Sequence, residues 1–257
     1  MKKFRGIFLK NDQEIASLYE ANQIGAAILG ELEAIVEPGI TSLELEEFAC
    51  SKCTFYGVQA AFKGYMGYPF ALCCSVNSEI VHGFPSQRKL RDGDILSVDF
   101  GVIKNGFFGD TAKTFSVGSI DKGAAHLLEI TEQSLFRGIA EALPGNDLYD
   151  ISRAVQNHVE AHGYSVIKRF VGHGIGRQLH EKPEVPNFVP KSCSRVPLKP
   201  GMVLAIEPMV AAGSDQVEIL SDGWTAVTKD GSLSAHFEHS IAITKDGPII
   251  LSKLESC

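Results

Sequence analysis

Apolar residues recur at helical spacing near the start of the chain and predict a long helix there. Over residues 11–36 these positions are Ile15, Leu18, Ala21, Ile28, Leu32 and Ile35. Small Gly25 occupies the remaining slot of the same helix face. Asn11 and Glu14 form the residue pair of a capping box, and Pro38-Gly39 is typical of the segment that ends a helix. The sequence therefore predicts one helix between these two signals.

Three further helices have signals of the same kind. Thr41 with Glu44 is a second capping box. Asp121 and Asp147 are side chains that commonly cap a helix N-terminus. Glycine ends two of these segments, as expected where a helix terminates in a left-handed residue. The predicted ranges are 41–57, 121–143 and 147–163.

The segment from Leu90 to Thr111 has a different pattern and predicts a β-hairpin. Asn105-Gly106 lies between two apolar runs, and a type I′ turn needs positive φ at both of its central positions. A turn at these residues places Asp99 opposite Ala112. Because side chains alternate between the two faces of a strand, Asp110 then shares a face with Asp99 as its diagonal neighbour. Two carboxylates this close repel each other, and one is forced neutral unless a cation lies between them. This stretch alone leaves open the alternative of two solvated carboxylates on an exposed hairpin.

The first strand of this hairpin recurs in the second half of the chain. Residues 90–99 align without gaps to residues 198–207, so that Asp99 corresponds to Glu207. Each copy is followed by a predicted strand with another carboxylate, Asp110 in the first half and Glu238 in the second. A repeat this long is typical of a duplicated half-domain rather than of a solenoid. Duplication would bring the four carboxylates together around a pseudo-twofold axis.

The helices belong to the same repeat, since two helices precede the hairpin in each half. The halves span roughly 11–118 and 121–250 within one predicted domain, 1–257. This order favours an α+β fold, with helices on one face of an antiparallel sheet, over the strand–helix alternation of a dinucleotide-binding fold.

Composition agrees with one enzyme-sized unit and excludes several function classes. At 257 residues and 44% hydrophobic content, the chain can bury a large core. A net charge of −7 argues against nucleic acid or an anionic membrane as partner. We find no apolar run as long as a membrane helix, and the run after Met1-Lys2-Lys3 is too short for a signal peptide.

The cysteines follow no disulfide framework, which predicts a reducing, cytoplasmic location. They are Cys50, Cys53, Cys73, Cys74, Cys193 and Cys257. A zinc site at Cys50 and Cys53 is not expected, because no second cysteine pair accompanies them.

Several aromatic and histidine side chains lie outside the regular patterns. The glycine- and aromatic-rich segment 62–70 is either a pocket-shaping loop or an ordinary surface loop. A short strand is predicted at 72–76, followed by a turn at 77–85 that contains His82. A histidine in this place is more often a structural hydrogen bonder than a catalyst. His126, His158 and His162 lie on predicted helices, where we expect surface or hydrogen-bonded residues.

Glycine flanks His173 on both sides. The surrounding segment lacks the third glycine of a dinucleotide fingerprint and the Gly-Lys-Ser/Thr of a P-loop, so phosphate binding is not expected. The glycines instead allow close backbone approach and leave the imidazole free to point at a partner.

Asp99, Asp110, Glu207 and Glu238 with His173 supply four oxygen-donor side chains and one nitrogen donor. Such a set suits Mn²⁺, Fe²⁺ or Co²⁺ and is too rich in oxygen for a structural zinc site. Two ions are expected, because four carboxylates around one ion would be crowded and over-charged. Two such ions can bridge a water, lower its pKa and stabilise a hydrolytic transition state.

These residues lie in motifs that resemble those of type I methionine aminopeptidases, metallopeptidases of the pita-bread fold, and the likeness covers essentially the whole chain. The motifs are Asn77-Ser78-Glu79-Ile80-Val81-His82-Gly83, Ser97-Val98-Asp99, Gly109-Asp110-Thr111, Gly172-His173-Gly174-Ile175-Gly176, Ile206-Glu207-Pro208 and Phe237-Glu238-His239. The resemblance implies that Asp110 and Glu238 bridge two metal ions. It also implies that Asp99 chelates one ion and that His173 with Glu207 binds the other.

The resemblance implies further roles for three residues and a pocket for methionine. Glu207 would shuttle protons, His180 would stabilise the oxyanion, and His82 would contact the scissile amide. The implied pocket residues are Phe62, Tyr65, Tyr68, Cys73, Leu179 and Trp224. Relatives often have cysteine in place of Phe62 and phenylalanine in place of Leu179, which leaves the shape of the pocket open.

By resemblance, the activity is removal of the initiator methionine from nascent polypeptides when the second residue is small. The partners are then the N-termini of nascent chains, with the ribosome surface as a further candidate, and a monomer is expected. One alternative is a prolidase, a class that expects an additional N-terminal domain for which this chain has no room. The other is a binding module that has lost catalysis. That class expects missing ligands, whereas all five positions are filled here.

Overall fold

The structure is a computed structural model and describes residues 2–254. Cys257, counted among the cysteines above, lies outside the described residues. The helices are α1 (Asp12–Glu33), α2 (Ser42–Tyr56), α3 (Lys122–Ala140) and α4 (Leu148–Ala161), with a 3₁₀ turn at Tyr65–Gly67. The strands are β1 (Lys2–Phe4), β2 (Ile7–Leu9), β3 (Gln59–Ala60), β4 (Leu72–Val76), β5 (Glu79–Val81), β6 (Ile95–Lys104), β7 (Phe107–Ser116), β8 (Ser165–Val166), β9 (Gly172–Gly174), β10 (Glu181–Val185), β11 (Val203–Ile206), β12 (Met209–Ala211), β13 (Val217–Ile219), β14 (Ala226–Thr228), β15 (Ser234–His236), β16 (Glu238–Thr244) and β17 (Gly247–Ile250).

The predicted helix starts are confirmed by their capping hydrogen bonds. Asn11 before α1 and Thr41 before α2 both form complete capping boxes, in which the side chain and the third helical residue satisfy each other's backbone N–H groups. Asp121 and Asp147 cap α3 and α4. Gly57 ends α2 at φ 64°, in the left-handed region. The helices α1 and α3 end a few residues earlier than predicted.

The predicted hairpin is confirmed with its register. Strands β6 and β7 pair along their full lengths around a turn in which Asn105 and Gly106 both have positive φ, 51° and 76°. Asp99 lies opposite Ala112, and Asp110 lies opposite Gly101. The two aspartates are therefore diagonal neighbours on one face, as the sequence predicts.

A nine-stranded sheet carries the internal repeat. Its order is β10-β9-β11-β16-β7-β6-β3, with β17 beside β16 and β4 beside β6. The antiparallel pair β16–β7 lies at the centre, flanked by the repeated strands β11 on one side and β6 on the other. The sheet thus has the pseudo-twofold arrangement that duplication of a unit of two helices and a β-hairpin predicts.

The helices and the carboxylates occupy opposite faces of this sheet. Val98 and Phe100, which flank Asp99, are buried in one core cluster with the apolar side of α1. Leu204 and Ile206, which precede Glu207, are buried in another cluster with α3 and α4. Because side chains alternate along a strand, the helices cover one face and the carboxylates project from the other.

One local prediction is wrong in part, because residues 77–85 form more than a turn. Residues Glu79–Val81 form β5, which pairs with β14 from the second half of the chain. This pairing joins segments far apart in sequence, so no local signal specifies it. Asp222 and Gly223 lie in the turn that joins β13 to β14. Among the described residues, no helix is both long and apolar enough to cross a membrane.

Candidate active site

All of the sequence-predicted site residues line one cavity on the helix-free face of the sheet. Its volume is about 230 Å³. The predicted residues that line it are Asp99, Asp110, His173, Glu207, Glu238, His82, His180, Phe62, Tyr65, Tyr68, Cys73, Leu179 and Trp224. Residues from both halves of the repeat therefore meet in a single site.

Strand register explains why the carboxylates converge. Ala112 of β7 lies between Asp99 on β6 and Glu238 on β16, because both pair with it. Asp110 lies two positions before Ala112 on β7 and therefore on the same face. Glu207 directly follows β11, whose last residue pairs with the residue after Glu238. Three of the four central strands thus contribute one carboxylate each, and the residue that follows the fourth strand contributes the last.

The carboxylates lie close together, and several of their buried oxygens accept no hydrogen bond from the described residues. Asp99 Oδ1, Asp110 Oδ1 and Glu238 Oε1 are sealed from solvent and have no hydrogen-bond partner among residues 2–254. Burial raises the pKa of Asp99 to about 7. Burial, and then the neighbouring carboxylates, raise the pKa of Asp110, Glu207 and Glu238 well above the usual range. Buried oxygens without partners and mutually repelling carboxyls fit a site that holds divalent cations.

His173 is held as a neutral nitrogen donor facing these carboxylates. Its Nδ1 lies 2.9 Å from the carbonyl oxygen of Gly174, which can only accept, so Nδ1 carries the proton and Nε2 keeps its lone pair. Nε2 lies 3.5 Å from Glu207 Oε1 and 3.7 Å from Asp110 Oδ2. Burial lowers the pKa of His173 to about 3. One ligand atom each of Asp110, His173 and Glu238 lie within 4.8 Å of one another, a spacing that suits a metal ion.

The glycines around His173 are required by packing. A Cβ at Gly172 would clash with the carbonyl oxygen of Ala205 on β11. A Cβ at Gly174 would clash with the carbonyl oxygen of Lys182 on β10. Strand β9 is therefore squeezed between two neighbouring strands, which confirms the predicted close backbone approach.

Two more histidines face the cavity in neutral form. His180 is exposed to the cavity, with Nδ1 2.8 Å from the Tyr65 hydroxyl and its ring centroid 4.3 Å from that of His173. Burial by the surrounding protein lowers the pKa of His180. His82 has φ 60°, and burial followed by the charge of His180 lowers its pKa to about 4. Both rings can donate one N–H and accept at the other nitrogen at neutral pH.

A second part of the cavity lining, the aromatic wall, consists mainly of aromatic residues and includes one thiol. The ring of Tyr68 packs edge-on against Trp224 at 5.2 Å, and its hydroxyl donates to the carbonyls of Leu72 and Gly83. Burial raises the pKa of Cys73, so its side chain is a neutral thiol. Met66 lies at the rim and is 82% exposed. This wall offers aromatic and sulfur surface to an apolar side chain.

His236, a residue with no predicted role, lies next to Glu207. It is 1% exposed, and its Nε2 lies 3.8 Å from Glu207 Oε2. Neither ring nitrogen has a hydrogen-bond partner among residues 2–254, and burial lowers its pKa to about 3. Strand periodicity could have indicated this position, because His236 lies two residues before Glu238 and residues two apart on a strand share a face. The cavity is also lined by Val81, Phe170, Val171 and Met209, which were not predicted.

Comparison with known proteins assigns the family. Residues 16–245 match metallopeptidase family M24. The chain belongs to metallopeptidase family M24. Family membership and the ligand group of Asp110, His173 and Glu238 support the use of a divalent metal ion.

Similar M24 proteins are named methionine aminopeptidase. The one from Clostridium perfringens is 51% identical over 250 residues, which cover 97% of this chain and 100% of that protein. "Methionine aminopeptidase 1" from Bacillus subtilis is 47% identical, with coverage of 96% and 100%. The crystal structure of the Rickettsia prowazekii methionine aminopeptidase superposes with a TM-score of 0.94 at 35% identity, covering 96% of this chain and all of that chain.

More distant M24 structures share the architecture. The prolidase from Pyrococcus furiosus superposes with a TM-score of 0.77 at 21% identity, covering 96% of this chain and 66% of that chain. This likeness shows the fold alone. Together these neighbours confirm the pita-bread fold, in which a curved antiparallel sheet is backed by helices.

Proposed function

We propose that this chain hydrolyses the first peptide bond of peptides and nascent proteins that begin with methionine and have a small second residue. The observation that carries the proposal is the group of four carboxylates and His173 in a cavity that is also lined by aromatic side chains and the thiol of Cys73. Relatives that match this chain over their full length and are named methionine aminopeptidase support it. Residues 1–257 would act as one catalytic domain.

Two divalent ions, Mn²⁺, Fe²⁺ or Co²⁺, fit the donor set. Asp110 and Glu238 would bridge the two ions, Asp99 would hold one of them, and His173 with Glu207 would hold the other. The buried oxygens without partners on three of these carboxylates support the assignment. Bound ions would supply a water of lowered pKa and stabilise negative charge on the carbonyl oxygen.

Glu207 would move the protons. Its carboxylate lies at the edge of the group and keeps partial exposure toward the cavity. Burial and the charges of Asp99 and Asp110 raise its pKa, so it can accept a proton from the attacking water and deliver it to the leaving amine. A general base in this role must both take up and release the proton within one cycle.

His180 and His82 would act as neutral hydrogen-bond donors. When the Tyr65 hydroxyl donates to Nδ1 of His180, Nε2 of that ring carries the proton and can donate to the developing oxyanion. His82 faces the same cavity on the side of Trp224 and would donate to the scissile amide. Because burial lowers both pKa values, neither ring adds positive charge beside the metal ions.

The methionine side chain would enter the aromatic wall. Its flexible thioether suits contacts with aromatic rings and with the thiol of Cys73. The pocket would be formed by Phe62, Tyr65, Tyr68, Cys73, Leu179 and Trp224. These contacts would serve an internal methionine equally well, so the restriction to a chain end must come from the metal site. A free, neutral α-amine can ligate an ion, whereas an acylated nitrogen is a poor donor.

The cellular setting is part of the proposal. We place the enzyme in the cytoplasm as a monomer that acts on emerging N-termini, with the ribosome surface as a candidate docking partner. Cys50, Cys53, Cys73, Cys74 and Cys193 are free thiols, which supports a reducing compartment. The net charge of −7 gives no support to direct nucleic-acid binding.

A matched peptide set tests the proposed reaction. The metal-loaded protein is incubated with a Met-Ala peptide, its N-acetylated form, a Met-Leu peptide and an Ala-Pro peptide, and products are identified by mass spectrometry. We expect loss of methionine from the free-amine Met-Ala peptide alone. Comparable turnover of the acetylated peptide would overturn the claim that the metal site selects the N-terminus. Preferential cleavage of the Ala-Pro peptide would replace the proposed activity with that of a prolidase.

A further inference from the structure

The backbone of the loop that leads to His180 is hydrogen-bonded to the carboxylate of Glu181. Glu181 Oε1 accepts hydrogen bonds from the backbone N–H groups of Arg177, at 2.9 Å, and Gln178, at 3.3 Å. Glu181 is the first residue of β10 and pairs with Gly174, the residue after His173. One carboxylate therefore fixes the segment that presents His180 next to His173.

The second oxygen of the same carboxylate binds a lysine from the start of the chain. Lys10 Nζ lies 2.7 Å from Glu181 Oε2, and both side chains are only 2% exposed. The backbone of Lys10 is fixed in turn, because its N–H donates to the carbonyl oxygen of Gly201 at 2.7 Å. The ion pair joins the residue after β2 to the His180 loop, across a separation of 171 residues in the sequence. Lys10 lies outside residues 16–245, the segment that matches the family.

Packing leaves the pair and the loop little freedom to move separately. A Cβ on Gly176 would lie 2.5 Å from Glu181 Oε1 and 2.7 Å from Lys10 Cε. The carbonyl oxygen of Gly176 accepts from the N–H of Phe108 on β7 at 2.9 Å. A shift of the ion pair would therefore displace the loop backbone as well.

We propose that Lys10 and Glu181 are positioning residues that hold His180 at the place from which it donates to the oxyanion. The inference rests on the function proposed above for His180. Neither residue lines the cavity or contacts its carboxylates. A displacement of about 1 Å at a reacting group can cost on the order of 10²-fold in rate, so a buried contact behind the loop is sufficient to control turnover.

Neutral variants of similar size test this role. Lys10→Met removes the charge and leaves Glu181 buried without its cation, whereas Glu181→Gln keeps an acceptor for the two backbone N–H groups. We expect Lys10→Met to lower kcat by roughly 10- to 100-fold, with KM for a Met-Ala peptide and metal content changed by less than about two-fold. The double variant Lys10→Met/Glu181→Gln should recover part of kcat, because no buried charge is left uncompensated.

The chain contains a matched control for loss of a lysine–glutamate pair. Lys113 Nζ lies 2.7 Å from Glu33 Oε1, but these side chains are 38% and 46% exposed. Lys113→Met should leave kcat and KM unchanged, because a solvated ion pair contributes little and lies away from the His180 loop. An equal loss of kcat in Lys10→Met and Lys113→Met would overturn the positioning role.

A double-mutant cycle of Lys10→Met and His180→Ala distinguishes positioning of His180 from a purely structural role of Lys10. If Lys10 acts through His180, kcat of Lys10→Met/His180→Ala equals that of His180→Ala alone. A further fall of kcat in the double variant, by the factor seen for Lys10→Met alone, would show a structural role only and overturn the proposal. An unchanged kcat in His180→Ala would overturn it too.

NMR of the His180 ring tests the positioning role without a measurement of catalytic turnover. The ¹⁵N chemical shifts of the His180 ring report its tautomer and its hydrogen bond with Tyr65. We expect these shifts to change in Lys10→Met and in Glu181→Gln and to stay constant in Lys113→Met. Constant shifts in all three variants would overturn the inference. If Lys10→Met fails to fold, Glu181→Gln and the double variant provide both the kinetic and the NMR comparison. Absence of methionine release by the unmodified protein would instead refute the proposed function.

Discussion

The histidines and the carboxylates that face the cavity differ in charge and in their hydrogen-bond partners. The histidines His82, His173 and His180 are neutral, and two of them have defined hydrogen-bond partners. The carboxylates lack comparable partners and repel one another. The histidines of the site are therefore neutral, whereas its carboxylates repel one another when they are ionised.

The raised pKa of Asp99 predicts how pH affects the stability of the ion-free protein. The pKa of Asp99 is about 7 in the fold and has an ordinary value of 3.8. Between these two pKa values the folded protein therefore binds more protons than the unfolded chain. The free energy of unfolding falls as pH rises through this range. In chelator, Tm should decrease from about pH 5 to about pH 8.

The matched variant for this prediction is Asp99→Asn, which removes the titrating group. Its Tm in chelator should depend less on pH than that of the unmodified protein, and saturating Mn²⁺ should flatten the dependence for the unmodified protein. A Tm that increases over the same pH range in chelator would show that the carboxyls are stabilised as anions by the protein itself.

Replacement of His180 tests the role of a single donor. His180→Ala should lower kcat by about 10²- to 10³-fold, the range for one oxyanion donor, while metal content stays unchanged. Steady-state kinetics together with elemental analysis of the purified variant measure both quantities. Loss of metal would make His180 a ligand, and an effect on KM alone would make it a substrate-binding residue.

At the scale of elements, the contact between α1 and the central sheet depends on two glycines in different ways. Gly109 on β7 has backbone atoms of Ala21 and Asn22 only 2.8 Å from an added Cβ. Gly25 on α1 faces the same interface, but an added Cβ there would meet Val102 and Thr111 at 3.8 and 3.9 Å, which is ordinary contact. The helix can approach the sheet closely only because residue 109 has no side chain.

These two positions give opposite predictions for the same substitution. Gly25→Ala should raise the free energy of unfolding by about 0.5–1 kcal/mol, because alanine is the better helix former and no clash results. Gly109→Ala should lower it by about 1–3 kcal/mol, since the helix must move from the sheet. Chemical denaturation of both variants measures the difference. Equal destabilisation by both would contradict the packing described here.

Elements with local signals were predictable from the sequence, and elements formed by distant pairing were not. The capping residues of the helices and the Asn105-Gly106 turn act on their own neighbours, so the sequence specifies them directly. Strand β5 forms only because β14 pairs with it. The sequence shows His236 two positions before Glu238, but its contact with Glu207 depends on the distant pairing of β15 with β12.

At the scale of the whole molecule, duplication explains where the site lies. The central strands β7 and β16 belong to different halves, and Asp110 and Glu238 project from them onto one face. The repeated strands β6 and β11 add Asp99 and Glu207 from either side. Neither half alone contains the complete set of carboxylates, so the site requires both.

We propose that these carboxylates form a metal site on which peptide hydrolysis depends. The most direct measurement is methionine release from a Met-Ala peptide by protein stripped of metal and titrated with Mn²⁺, with bound metal and Tm determined at each step. We predict no release without metal, and activity and Tm that increase together up to about two equivalents of ion per chain. Full activity in protein whose measured metal content is near zero would show that hydrolysis does not depend on a bound metal ion.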